Sequence, residues 1–367
     1  MTKRLASFNV ENLFSRPKVM NRATWAAGSD ELSEFTLLSS LLEKPVYSDD
    51  DKAEIKRILD KYKFGDPNVL PSKRPFLILE VRGKLFKVPQ NSTEVEIVAS
   101  GRPFWVGWVD LTREELDPRA TSFTGRVIRE VQADVLCVVE VEDRLTLDRF
   151  NKQVISQDGG WVYPFNLLID GNDPREIDVG LLSKQEISSV RSHIADVDAQ
   201  GVIFSRDCAE FEVGLPGGDR LWVLANHFKS KGYGSLQASS RKRWRQAKQV
   251  AAIYQEARGR SPFVAVAGDL NDTPDSSALA PLVKDTDLKD VSEHPTWQGQ
   301  KGTFGTGKAK ASKIDYILLS PALWQRVENV GIERRGIYAP SLEIMWPGVD
   351  PTTAASDHGA IWVDLNV

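Results

Sequence analysis

Cysteine is scarce in this chain: Cys137 and Cys208 are the only two among 367 residues. A disulfide framework and a cysteine-rich zinc site are both excluded. Cys137 lies in the apolar run Ala133-Asp134-Val135-Leu136-Cys137-Val138-Val139 and reads as a small buried hydrophobe. Long apolar runs are missing as well, and nothing approaches the ~20 residues a membrane span requires. The opening Met1-Thr2-Lys3-Arg4-Leu5-Ala6-Ser7-Phe8-Asn9 lacks the apolar stretch of a secretory signal, although a trimmed N-terminus would hide one. These absences suit a reducing cytoplasm, the expected location. Excess positive charge is also lacking: the net charge is −4 and the pI about 5.8. That is not the charge of a protein that coats nucleic acid by electrostatics alone, though a local basic patch suffices for an enzyme. Internal repeats and low-complexity linkers do not occur.

What is present fits a folded globular chain, 41% hydrophobic and 27% charged. A strand fits at Arg4 to Asn9. Helical spacing runs from about Glu31 to Tyr62, carried by Leu37, Leu38, Leu41 and Leu42 and then by Ile55, Ile58 and Leu59. From Pro75 to Asp110 short strands alternate with turns at Arg82-Gly83 and Gln90-Asn91-Ser92. A helix near Phe123 to Gln132 leads into a strand at Val135 to Val139. Further strands fit at 179–182, 207–213, 221–226, 264–267, 314–319 and 359–364. One long polar helix fits between Leu236 and Ala257, ended by Gly259. Many strands with few helices predict one layered domain over residues 1–367, with a β-rich insertion at about 65–110.

Chemistry-bearing residues cluster where apolar strands end. Asn9-Val10-Glu11, Glu140-Val141-Glu142, Asn226-His227, Gly268-Asp269-Leu270-Asn271 and Ser356-Asp357-His358 all flank such strands, and Asp315 sits within Lys313-Ile314-Asp315-Tyr316. Any one of these carboxylates would ordinarily be a turn or cap residue. As a set, several oxygen ligands on strand ends suit a hard cation such as Mg²⁺ or Mn²⁺. Two of the four histidines fall within it.

These stretches resemble the endonuclease/exonuclease/phosphatase superfamily. The resemblance is carried by Ser7-Phe8-Asn9-Val10-Glu11-Asn12-Leu13, by Asp134 to Glu142, by Ile177-Asp178-Val179-Gly180-Leu181-Leu182-Ser183 and by Asn226-His227-Phe228-Lys229-Ser230-Lys231. Gly268-Asp269-Leu270-Asn271-Asp272, Ile314-Asp315-Tyr316-Ile317-Leu318 and Ser356-Asp357-His358 complete it, in the family's order along nearly the whole chain. Two departures stand out: Val139 occupies the place where the family commonly has Gln, and residues 65–110 have no counterpart. The resemblance implies an α+β fold, a four-layer α/β/β/α sandwich of two packed mixed β-sheets flanked by helices. It implies a metal-dependent phosphoesterase, with Glu140 as the principal ligand supported by Asn9, Glu11 and Asp357. His358, oriented by Asp315, would be the main catalytic histidine. Asp269 and Asn271 would position the nucleophile and grip phosphate. His227 would be a second acid or phosphate donor, oriented by Glu176 or Asp178, unless those two merely pair with Arg175.

The substrate is read from local charge. Lys229 and Lys231 follow His227, and Arg241, Lys242, Arg243, Arg245 and Lys248 lie on the long helix, where a solvated face is the plainer explanation. Lys301, Lys308, Lys310 and Lys313 surround a Gly-rich loop before Asp315. With Arg175, Glu176 and Asp178, the two lysines after His227 are the candidate substrate-binding residues. Trp105 and Trp108 are candidate stacking platforms for bases, or core. The expectation is a nuclease acting on DNA or RNA, with no protein partner. A phospholipid or inositol-phosphate phosphoesterase on the same fold, or a non-catalytic binding module, is the alternative.

Overall fold

The computed structural model describes residues 1–22, 25–231, 235–308 and 312–367, and its chain divides into two compact units. The larger comprises Met1–Phe14, Leu116–Lys231 and Ser235–Val367. It contains two six-stranded sheets. In chain order the strands are β1 (Thr2–Asn9), β2 (Val135–Val141), β3 (Phe165–Ile169), β4 (Asp178–Ser183), β5 (Ile187–Arg191) and β6 (Cys208–Gly214). They continue with β7 (Arg220–His227), β8 (Phe263–Asp269), β9 (Lys289–Asp290), β10 (Asp315–Leu319), β11 (Val327–Glu333) and β12 (Ala360–Asn366).

The first sheet has the order β11-β12-β1-β2-β4-β3 and the second β5-β6-β7-β8-β10-β9. Both are mixed: β1 runs parallel to β2 and β7 parallel to β8, while the other pairs are antiparallel. Period-two alternation of apolar residues puts two faces to work on each sheet. Leu5, Val135, Cys137, Val139 and Leu181 from the first sheet form one cluster with Phe211, Val223, Ala225, Ala265, Ala267 and Ile317 from the second. The alternate residues Ala6, Phe8, Leu136 and Val138 pack outward with Val127, Ile128 and Val131 of helix α1 (Pro118–Val131). On the far side, Leu224, Val264 and Val266 pack against Ala247, Val250 and Tyr254 of helix α2 (Leu236–Arg258). The result is the expected α/β/β/α sandwich.

The smaller unit is Ser15–Glu115 with residues 232–234, and the β-rich stretch 65–110 lies inside it. Helices Ser29–Leu42 and Asp49–Lys61 cover short antiparallel pairs, of which Phe76–Arg82 with Val106–Leu111 is the longest. A capping box between Ser48 and Asp51 starts the second helix. Trp105 is wholly buried there, and its Nε1–H donates to the Tyr47 hydroxyl at 2.8 Å. It is a core residue and not a stacking platform; Trp108 is half exposed. No described helix is long and apolar enough to cross a membrane.

Candidate active site

The inner-face stripes of the two sheets do not end in hydrophobes. Along β7 the stripe reads Val223, Ala225, His227; along β8 it reads Ala265, Ala267, Asp269; into β10 it reads Leu319, Ile317, Asp315. Register aligns the three ends, with His227 opposite Asp269 and Asp269 opposite Asp315. Adjacent strands lie about 4.8 Å apart, so one imidazole and two carboxylates stand in a row at the rim of the core. On the facing sheet the stripe Leu5, Ser7, Asn9 ends in an amide, and the Asn9 Nδ2–H donates to Asp269 Oδ2 at 3.3 Å.

Glu140 reaches this place by a different route. Alternation after Val139 would turn it toward the outer helices. Instead Val139 pairs with Val179 and Val141 with Asp178, so Glu140 is the extra residue of a bulge, with φ +64°. Val141 is thereby passed to the outer cluster, and the Glu140 carboxylate comes within 3.5 Å of His227 Nε2. Glu11 and Asn271, on the neighboring segments, also have positive φ. Gly268 has φ +133°, and a Cβ there would meet the Asn226 carbonyl oxygen at 1.9 Å. Only glycine fits before Asp269.

His358 is the most firmly held group. Its Nδ1–H donates to both Asp315 oxygens, at 3.0 and 2.9 Å, and the ring packs edge-on against Phe304 at 5.0 Å. The Thr303 hydroxyl donates to Asp315 Oδ2 at 2.5 Å and accepts from the Asp315 and Ile314 amides. Gly305 N–H donates to the Asp357 carbonyl and Gly359 N–H to the Thr303 carbonyl, both at 2.7 Å, which zips the Gly-rich loop onto the segment that carries His358. Burial pulls the His358 pKa down, but Asp315 and Asp357 outweigh it and raise it well above the usual range. Burial together with Arg206 and Arg175 drives His227 the opposite way, well below. Asp269 accepts from Asn271 N and Nδ2, and burial with neighbouring Asp315 pushes its pKa up to about 7.

Two groups of ligating atoms lie within 4.8 Å of one another: Glu140, His227 and Asp269, and then Asp269, Asp315 and His358. Among the described residues no lysine or arginine forms an ion pair with Glu140 or Asp269. Carboxylates this deeply placed call for a cation, and the donor set fits a hard divalent ion. Of the four expected ligands, Asn9 and Glu140 flank this center. Asp357 Oδ1 lies 3.5 Å from His358 Nε2, and Glu11 Oε2 accepts from Asp357 N at 3.1 Å, tying the two segments together.

The expected substrate-binding residues differ in their surroundings. Arg175 is buried and pairs with Asp173 at 2.6 Å. The group facing His227 Nδ1 is the Ile177 carbonyl oxygen, at 3.4 Å, between those two acids. Asp178 accepts from Gly171 N at 2.9 Å, and burial pushes its pKa up to about 7; Glu176 is exposed. Burial, aided by Arg175 and Arg206, brings Lys229 down to about 7, whereas Lys231 pairs with Asp272 at 2.7 Å. Arg243 also pairs with Asp272, Arg245 with Asp198, Lys301 with Glu293 and buried Lys313 with Asp290. Arg241, Lys248 and Lys308 are exposed; Lys310 lies outside the described residues. Residues the sequence reading passed over are Thr303, Asp173 and Arg206. Only the last had a visible signal, a charged Arg206-Asp207 pair directly before an apolar strand.

Residues 109–358 match the Endonuclease/Exonuclease/phosphatase family. The chain belongs to that family of phosphoester hydrolases. Enzymes of this family depend on a metal, consistent with the clustered acids and imidazoles. Comparison with curated proteins finds no significant match. Among solved structures, the fold is similar to an endonuclease/exonuclease/phosphatase from Bacteroides vulgatus, at 17% identity and TM-score 0.50, covering 69% of this chain and 95% of that one. It is similar also to the mannosyl-6-phosphatase Bt3783 of Bacteroides thetaiotaomicron, at 16% identity and TM-score 0.50, covering 68% and 92%. Truncated Caenorhabditis elegans TDP2 aligns at 16% identity and TM-score 0.46, covering 67% and 90%.

Proposed function

We propose that this chain is a Mg²⁺- or Mn²⁺-dependent phosphodiesterase of the nuclease type, with DNA or RNA as substrate. The observation that carries the reading is geometric: ligating atoms of Glu140, His227 and Asp269, and of Asp269, Asp315 and His358, lie within 4.8 Å of one another, with an imidazole on either side of Asp269. Glu140, with Asn9 and Asp269 beside it, would hold a divalent ion, which would neutralize charge on the phosphate and polarize its oxygens. Asp269, poised near neutrality and gripped by Asn271 and Asn9, takes the proton of the attacking water. His358 keeps its proton because Asp315 holds it, so Nε2–H donates to a non-bridging oxygen as charge builds. With Nδ1–H directed at the Ile177 carbonyl, His227 presents Nε2 toward Glu140 and Asp269 and relays the proton the leaving oxygen needs.

A second reading, a small phosphoester such as an inositol phosphate, is favored by one observation. Most of the basic residues near the site already carry an internal carboxylate partner. Supercoiled plasmid, single-stranded RNA, bis(p-nitrophenyl) phosphate and p-nitrophenyl phosphate, each incubated with Mg²⁺, Mn²⁺ or chelator, separate the two. Cleavage of the nucleic acids and the diester, stopped by chelator, is expected. Hydrolysis of the monoester alone overturns the proposal.

A further inference from the structure

Arg206 is a wholly buried guanidinium that the catalytic account leaves without work. It sits just before β6, 1% exposed, and an arginine in such a place destabilizes the fold unless its charge and its donors are met. Its charge is met by Asp173 and one donor by a backbone carbonyl, while Nε itself makes no hydrogen bond among the described residues. Arg206 Nη1–H donates to the Phe228 carbonyl at 3.1 Å, and Nε lies 3.0 Å from Asp173 Oδ2. Phe228 is the residue after His227. Asp173 is the carboxylate that clamps Arg175, receiving Arg175 Nη2 at 2.6 Å on Oδ2, and Nε at 2.8 Å and the backbone amide at 3.1 Å on Oδ1. One carboxylate therefore stands between two guanidiniums, those of Arg206 and Arg175, both buried. Its pKa shows who dominates: burial would raise it, but Arg175 and Arg206 force it well below the usual range. The Asn172 amide ties the same turn to the carbonyls of Ile194 (2.7 Å) and Phe204 (3.1 Å), so the turn docks on the segment that leads to Arg206.

We propose that Arg206 is a positioning residue for phosphate recognition: through Asp173 it fixes the Arg175 guanidinium, and through the Phe228 carbonyl it fixes the chain between His227 and Lys229. This rests on the reading of the site as a phosphodiesterase in which Arg175 meets substrate phosphate. The planar guanidinium faces Asp173 with its charge while Nη1–H donates to the Phe228 carbonyl; an ammonium on a flexible stem does not hold both in one geometry. Charge alone is thus insufficient, and lysine is the informative replacement.

The test measures KM and kcat for bis(p-nitrophenyl) phosphate with Mn²⁺, and the affinity of inorganic phosphate by calorimetry. The proteins are wild type, Arg206→Lys, Asp173→Asn, Arg175→Ala, and Arg175→Ala combined with each of the others. Arg206→Lys is expected to raise KM and weaken phosphate about tenfold while kcat changes little, and Asp173→Asn is expected to do the same should the lysine variant fold poorly. In the Arg175→Ala background Asp173→Asn should not weaken phosphate further, because its effect travels through Arg175, whereas Arg206→Lys should keep only the smaller part that travels through the Phe228 carbonyl. Unaltered phosphate affinity in a folded Arg206→Lys or Asp173→Asn protein, or full additivity with Arg175→Ala, overturns the assignment and leaves Arg206 a purely structural ion. A wild-type protein that hydrolyses no diester instead sinks the functional reading beneath it.

Discussion

Asp315 shows how much one side chain can be asked to do. It receives Nδ1 of His358 on both oxygens, the Thr303 hydroxyl on one, and lies in register with Asp269 on the next strand. Asp315→Asn keeps the shape but lets the amide present N–H where the imidazole needs an acceptor. The ring then loses both its orientation and its proton. We expect kcat for a diester to fall by about 10²–10⁴-fold, the usual contribution of a general acid or base, with far-UV circular dichroism unchanged. A kcat within a factor of about two of wild type would refute a catalytic His358–Asp315 dyad. His227, Asp269 and Asp315 were legible in the sequence because the period-two stripe continues straight into them, and His358 as a polar residue just before the last apolar strand. Asp173 was not, and Arg206 was marked only by its place before an apolar strand. Neither extends a stripe, and their pairing joins segments 33 residues apart, which spacing alone does not announce.

Among elements, the sequence reading found the central strands and passed over β3, β5 and β11, along with two-residue β9. All four are sheet edges. An edge strand buries little, and sequences such as Ile187-Ser188-Ser189-Val190-Arg191 and Val327-Glu328-Asn329-Val330 carry few core residues to give them away. The bulge at Glu140 was equally hidden, since φ is not written in a Val-Val-Glu-Val run.

The edge formed by β5 and β6 has its own electrostatic lock. His193 Nδ1 lies 2.9 Å from Asp196 Oδ2 and Nε2 lies 2.8 Å from Glu210 Oε1, while Arg260 pairs with the second Glu210 oxygen. Arg191 stands 3.9 Å from Glu210, and Gln249 of α2 donates to Asp196 at 2.8 Å. Burial lowers the His193 pKa, but Glu210 and Asp196 outweigh that and raise it. Burial would raise Glu210, but His193 and Arg260 outweigh it and bring it down. A raised histidine stabilizes fully below its unfolded value, about 6.5, and that gain is lost as pH climbs through the folded pKa; a lowered glutamate loses its gain as pH falls below about 4.5. Wild type should therefore exceed His193→Gln in urea-unfolding free energy by on the order of 1 kcal/mol near pH 6. The gap should shrink toward pH 9. A gap independent of pH between 5 and 9 would show that the imidazole is neutral throughout.

At the scale of the whole molecule, the chain divides into two compact units, and the sequence reading placed a β-rich insertion at about 65–110 within one domain. The smaller unit, Ser15–Glu115, also takes in the helices at Ser29–Leu42 and Asp49–Lys61, which the composition shift at residue 65 did not reveal. Its core closes on Trp105 and on Phe76, which stacks with Phe64 at 5.8 Å. Trp105→Ala should lower stability by about 3–5 kcal/mol, the usual cost of emptying a site that size. Denaturant unfolding followed by fluorescence checks it, and a loss under about 1 kcal/mol would mean the ring is not core.

The larger unit carries the central claim, that Glu140, placed by its bulge, joins Asn9, Asp269 and the imidazoles around one divalent cation. Calorimetric titration of Mn²⁺ into wild type and Glu140→Ala, at matched folded fraction, tests this most directly. The account predicts saturable binding to wild type that weakens at least about tenfold in the variant, the scale on which removing a metal's supporting group acts, with diester hydrolysis lost in parallel. Equal Mn²⁺ affinity in the two proteins would contradict it.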